Sequence, residues 1–293
     1  MSLAIISNAF ILMLFIFVDI GLASSQQKGY DIAYSTNNTT PENTTSSSIQ
    51  YITPESASIE AAMKSSQNVH VFQEKQSCFW GKTIFHGFEP LETSHRTGII
   101  FYPGGLVDEK EYAPLVRSMA ELGYYVALAN PILNLQVLDI KLADHILQYE
   151  PWKEKVDKWI ITGHSLGGSM ACSYASELEH GHLSSDISSK LRGLAIMAAY
   201  PSAKLDFRQS SYRVTSIFGT RDGLTTMDEI EASKIQFPSD TIYVSIEGAN
   251  HSNFYYGGDL QNGDNEADIT LEKQQELVRK SLHEFILLVD SDE

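Results

Sequence analysis

"WIITGHSLGGSMACSYA", residues 159–175, runs a short apolar stretch into a turn of small residues with Ser165 at its apex. Gly163 and Gly167 flank that serine at two-residue offsets, and Gly168 stands behind. Packing alone gives no reason to strip side chains from around one hydroxyl. A backbone forced into a tight, strained bend does, because only small neighbours let the chain turn and hold the serine outward. The apolar run before the turn predicts a buried strand, and the residues after it predict a helix, so the serine sits at a strand–turn–helix junction.

The same alternation extends in both directions. "TGIIFY" (97–102) is a continuous apolar run of the kind that forms a strand buried on both faces of a parallel sheet. It is followed by the helical stretch "DEKEYAPLVRSMAELG", closed by Gly123. "YYVALAN", "KWIIT", "LRGLAIMAA", "RVTSIFG" and "TIYVSIEG" predict further strands, most of them separated by helical segments, and "LEKQQELVRKSLHEFILLV" predicts a long closing helix. Earlier in the chain, "NVHVFQ" and "CFWGKTIFHG" follow one another with no helix between them, which makes them an antiparallel edge. The fold class is α/β, a doubly wound, mostly parallel sheet built from right-handed crossovers.

The chain has 293 residues, 43% hydrophobic and 20% charged, enough to bury one large core. Its net charge of −16, with no run of Lys or Arg, excludes nucleic acid as a partner class. Residues 9–18, "AFILMLFIFV", are apolar but short for a membrane span, and "GLASSQQ" follows with the small residues of a signal-peptidase site. Residues 1–25 are therefore expected to be a signal peptide of a secreted glycoprotein, although no Lys or Arg precedes the apolar run. A membrane is a partner only on the alternative that this segment is retained as an anchor. Residues 26–53 are expected to be a disordered linker, with glycosylation triplets at Asn37, Asn38 and Asn43, and residues 54–293 the catalytic domain. The two cysteines, Cys78 and Cys172, are expected to be buried thiols, and no His/Cys spacing suggests a metal site.

In doubly wound sheets, ligands bind beyond the carboxyl ends of the strands. Asp222 in "SIFGTRDG" and His251 in "SIEGANHSNF" both follow strands directly, giving the order Ser165, Asp222, His251. Their chemistry is that of an acyl-transfer triad. His251 takes the serine proton and Asp222 holds the imidazole; Asp206 and Asp228 are less well placed. Two N–H donors are needed for the oxyanion. Leu166, after the nucleophile, supplies one, and the loop "PGGLV" (103–107) supplies the other from Gly105 or Leu106. Phe254, Tyr255 and Tyr256 stand beside the base and either wall an acyl pocket or pack their loop down. The acidic "GDNEAD" beyond them is expected to be solvated. A fourth triplet, at Asn250, falls beside His251 and is expected to be unused.

"FYPGGLVDEKEYAPL", "GHSLGGSMA", "FGTRDG" and "NHSNFYYGG…NGD" together resemble the α/β-hydrolase superfamily, and in detail the small lidless group typed as α/β-hydrolase fold-5, related to dienelactone-hydrolase-like proteins. That resemblance implies serine esterase chemistry on a small-molecule acyl substrate, with no cofactor. The chain departs from the superfamily at the oxyanion loop, where Pro103-Gly104 stands in place of a common His-Gly. Only "YPSAKLDFRQSSY" separates the sixth and seventh strands of the expected sheet, too little for a lid, so the site is expected to be open and suited to small or exposed acyl groups. Thioesters and lactones fall within the same chemistry. The alternatives are a non-catalytic binding protein on the same fold, or an amide-cleaving hydrolase.

Overall fold

The structure is a computed structural model that describes residues 59–75, 82–257 and 260–291, together with the backbone of residues 30–34. The expected signal segment, the triplets at Asn37, Asn38 and Asn43, and Cys78 lie outside the described residues. No helix among the described residues is long and apolar enough to cross a membrane.

Among the described residues, nine strands form one sheet. In chain order they are β1 (Tyr30–Tyr34), β2 (Val69–Lys75), β3 (Thr83–Pro90), β4 (Thr97–Tyr102), β5 (Tyr125–Ala129), β6 (Lys158–His164), β7 (Leu191–Met197), β8 (Arg213–Gly219) and β9 (Ile242–Ile246). Their spatial order is β1-β9-β8-β7-β6-β4-β5-β3-β2. All neighbours pair parallel except β3 with β5 and β2 with β3. The antiparallel edge is thus where the sequence places it. The opposite edge was not expected. Tyr30–Tyr34, inside the segment read as disordered linker, pairs parallel with β9 as the outermost strand.

Alternation along the central strands builds two cores. On β4, Ile99 and Phe101 enter one core with α2 (Ala113–Glu121) and the long α8 (Leu271–Ser291). Ile100 and Tyr102 enter the other, with α3 (Leu142–Leu147), Trp152 of α4 (Glu150–Lys153) and α5 (Leu166–Glu179). Every residue of β4 and β5 is buried, which is why these strands read as unbroken apolar runs and not as alternating ones. Gly123, at a φ of 99°, ends the α2 turn as expected. A one-turn α1 (Ile59–Ala62) is held against α2 by the buried Arg117, which donates to the carbonyls of Ala62 and Lys64 while paired with Glu121. Two further short helices among the described residues are α6 (Ser185–Ser188) and α7 (Met227–Ser233). Residues 198–212, between β7 and β8, contain no helix or strand. Cys172 is a buried free thiol facing the α5 core, and burial pushes its pKa well up.

Parallel pairing sets the site. In register, Tyr102 lies beside Gly163, His164 beside Met197, and Gly219 beside Ile246. The loops that leave β4, β6, β8 and β9 therefore emerge together at one edge.

Candidate active site

Ser165 occupies φ 53° and ψ −124°, a conformation that costs a residue with a side chain about 1–3 kcal/mol. The surrounding glycines explain how the bend is tolerated. A Cβ on Gly167 would lie 2.2 Å from the Tyr102 carbonyl oxygen, and one on Gly163 would lie 2.6 Å from Gly167. The bend puts Ser165 ahead of the first turn of α5, whose first internal bond runs from the Ser169 N–H to the Ser165 carbonyl at 3.1 Å. Ser165 is partly exposed at the positive end of a 14-residue helix.

His251 follows β9 and is 1% exposed. Its Nδ1 lies 2.8 Å from Asp222 Oδ2. Asp222 is itself 7% exposed, and its other oxygen, Oδ1, accepts from the Leu224 N–H at 2.8 Å and the Thr225 N–H at 2.6 Å. The carboxylate is thus fully engaged, and Nδ1 must carry the proton in its bond to Oδ2. That leaves the Nε2 lone pair free, and Nε2 is buried with no hydrogen-bond partner among the described residues. The loops after β8 and β9 are laced together: Arg221 N–H donates to the Ala249 carbonyl, and a Cβ on Gly219 would lie 2.2 Å from that same oxygen.

The glycine loop after β4 separates the two oxyanion candidates that the sequence left open. Leu106 N–H is committed to the Asn134 carbonyl at 2.8 Å, and Gly104 N–H donates to the Tyr112 hydroxyl at 3.0 Å. Gly105 N–H makes no hydrogen bond among the described residues, and neither does Leu166 N–H, whose place in the first helical turn leaves it no internal acceptor. Of the two candidates, the Leu106 N–H is thus occupied and the Gly105 N–H is unpaired among the described residues.

The aromatic residues after His251 mostly pack. Phe254 and Tyr255 are buried in the α2–α8 core, with Phe254 stacked on His164 at 5.3 Å and Tyr255 5.9 Å from Tyr112. Tyr256 is part-buried, with its N–H bonded to the Glu111 carbonyl. Phe254 and Tyr255 therefore pack their loop down, one of the two roles the sequence left open. Asn250 is 2% exposed and its Nδ2 donates to the Asn265 carbonyl, in keeping with an unused triplet.

Three contributors escape a reading of the sequence. Asp264, in the acidic stretch expected to be solvated, accepts from the N–H groups of Gly223, His251, Ser252 and Asn265 and from the Ser252 hydroxyl. It staples the aspartate loop to the histidine loop. Burial raises its pKa, but these hydrogen bonds outweigh burial and hold the carboxyl below its usual range. Replacing Asp264 with Ala is expected to cost about 2 kcal/mol of stability, measured by urea unfolding, and to lower turnover by loosening His251. The two others form a pair beneath the site. Tyr112 hydroxyl accepts from Gly104, so its own hydrogen goes to His164 Nδ1 at 2.8 Å. The ring of His164 lies 4.5 Å from that of His251.

Burial, and then the neighbouring His251, hold the His164 pKa well below its ordinary value, so His251 stands beside a neutral ring. The consequence for stability has a definite sign. Below about pH 6.5 the unfolded chain protonates this histidine and the folded chain does not, so acidification favours unfolding. Melting curves from pH 7.5 down to 5 are expected to show a loss steepening toward about 1.4 kcal/mol per pH unit from this group. His283, whose pKa is lowered first by burial, adds to the slope. A His164→Asn variant should flatten it.

The alpha/beta hydrolase family matches residues 98–276, more than half of the chain. Among solved structures, the dienelactone hydrolase of Anabaena variabilis is similar at a TM-score of 0.50 and 14% identity, over 74% of this chain and 98% of that one. Esterase Est22 is similar at a TM-score of 0.54 and 10% identity, over 79% and 84% of the two chains. Esterase B of Lactobacillus rhamnosis, solved with a tributyrin phosphonate, is similar at 0.53 and 14% identity, over 79% and 90%. No curated protein matches the chain. At these identities the solved structures speak for the fold, and the family match carries the assignment: the chain belongs to the alpha/beta hydrolase family.

Proposed function

We propose that the protein is a serine hydrolase that cleaves carboxylic esters through an acyl-enzyme on Ser165. The observation that carries this reading is the buried Asp222–His251 pair, 2.8 Å apart, whose unpartnered Nε2 lies in the loop cluster that holds the strained Ser165. Nε2 takes the Ser165 hydroxyl proton as Oγ attacks the carbonyl carbon, and the positive imidazole is balanced by Asp222. The oxyanion that forms accepts from the N–H groups of Leu166 and Gly105. Collapse breaks the bond to the alcohol, which leaves with the proton from His251. Water then repeats the sequence in reverse and frees the acid. Neutral His164 keeps a second positive charge out of the site at the moment His251 becomes cationic.

Purified protein is expected to hydrolyse p-nitrophenyl acetate and butyrate, and to leave p-nitroanilides of the same acids largely uncut. Hydrolysis of the anilides at comparable rates would point to amide cleavage. Absence of turnover on both would favour a binding protein on this fold.

A further inference from the structure

Two leucines stand where both exposure and backbone strain argue against leucine. Leu106 is 55% exposed at φ 64°, and Leu133 is 75% exposed at φ 55°. The left-handed region suits glycine or asparagine, and a leucine there that buries little gains nothing for folding. The next position supplies the contrast: residue 134, also left-handed at φ 54°, is asparagine. The two leucines belong to one surface, because the Leu106 N–H to Asn134 carbonyl bond ties the loop after β4 to the loop after β5. Ile132, 45% exposed, extends it. Leu106 directly follows Gly105, the proposed oxyanion donor, so this surface begins at the reacting carbonyl.

We propose that Leu106, Ile132 and Leu133 form an apolar rim that holds the hydrocarbon arm of the substrate, so that the protein prefers esters with a chain of about eight carbons over acetates. The inference rests on the serine-hydrolase reading and adds the substrate class. Two features favour a single hydrocarbon chain over a lipid surface as the occupant. Its exposed apolar side chains are few, Leu106, Ile132 and Leu133 with Leu138 further along the same loop, and the chain that surrounds it carries a net charge of −16, which repels anionic headgroups. The arm can sit on the acyl or the alcohol side of the ester, and paired substrates separate these.

The test compares kcat/KM for p-nitrophenyl octanoate with acetate, and for octyl acetate with ethyl acetate, all below the concentration at which they aggregate. The wild-type protein is expected to favour the octyl member of one pair by about tenfold or more. Leu133→Asn should lower that ratio about threefold, and Leu106→Asn combined with Leu133→Asn should remove it. Asparagine accepts the left-handed backbone, so Tm is expected to rise by about 2–4 °C in the double variant, which a merely destabilised protein would not show. Leu91→Asn, as exposed as Leu106 but just after β3, which ends beside the start of β5 and so at the opposite end of the strands, should change neither ratio.

A flat chain-length profile in the wild type, or a ratio untouched by the double variant, overturns the rim and leaves the hydrolase reading in place. A preference seen only with aggregated substrate assigns the surface to a lipid interface and also overturns the proposal. Absence of turnover on every ester, with Ser165 unreactive to a fluorophosphonate, defeats the hydrolase reading and the rim with it.

Discussion

Ser165→Ala is expected to lower kcat by about a millionfold while the fold survives. The loss is that large because, in the proposed mechanism, every later group acts only through the serine oxygen. His251 has no other proton to take, and the oxyanion donors have no tetrahedral centre to stabilise. The variant keeps the strained bend, since alanine at φ 53° is no better accommodated than serine, and the glycines around it are unchanged. Circular dichroism and Tm close to wild type, measured beside the ester assay, separate loss of chemistry from loss of structure. A residual rate far above one millionth would mean that another nucleophile carries the reaction.

Asp222→Asn is expected to cost about ten-thousandfold in kcat, although it changes one atom. The geometry dictates the outcome. Oδ1 accepts two backbone N–H groups, from Leu224 and Thr225, so the amide oxygen of an asparagine must remain on that side. Its NH2 then faces His251 Nδ1, which has to become the acceptor. The ring proton moves to Nε2, and the lone pair that receives the serine proton is gone. Asp222→Ala removes the orientation, the balancing charge and the acceptor of the Leu224 and Thr225 N–H groups, but it leaves the tautomer free, so it should lose less at alkaline pH than Asp222→Asn. Equal activity of Asp222→Asn and wild type would contradict the assignment of this carboxylate.

Much of this arrangement was legible in the sequence because it rests on local signals. The unbroken run 97–102 marked a strand buried on both faces, and the glycines around Ser165 marked a bend that only a strained backbone needs. Asp222 and His251 were readable because each follows a strand at once, and parallel register carries such positions to one edge. What escaped depends on contacts between segments far apart in the chain. Nothing in "YDIAY" indicates that its partner is β9 at the other end of the protein. Asp264 looked like one more solvated acid because its N–H partners come from the loops after β8 and β9, which only folding brings together. Tyr112 lay in an amphipathic helical stretch, and its bonds to Gly104 and His164 follow from packing across the sheet edge. That the Leu106 N–H is occupied and the Gly105 N–H is not depends on a single carbonyl, that of Asn134 in another loop.

His251 and Asp222 are proposed to make the Ser165 hydroxyl nucleophilic. Covalent labelling by a fluorophosphonate tests it without knowledge of the substrate, with the modified residue located by peptide mass. One adduct per chain is predicted, on Ser165, absent in Ser165→Ala and slowed by several orders of magnitude in His251→Ala. A folded wild-type protein that takes up no label, or takes it up equally well without His251, would contradict the claim.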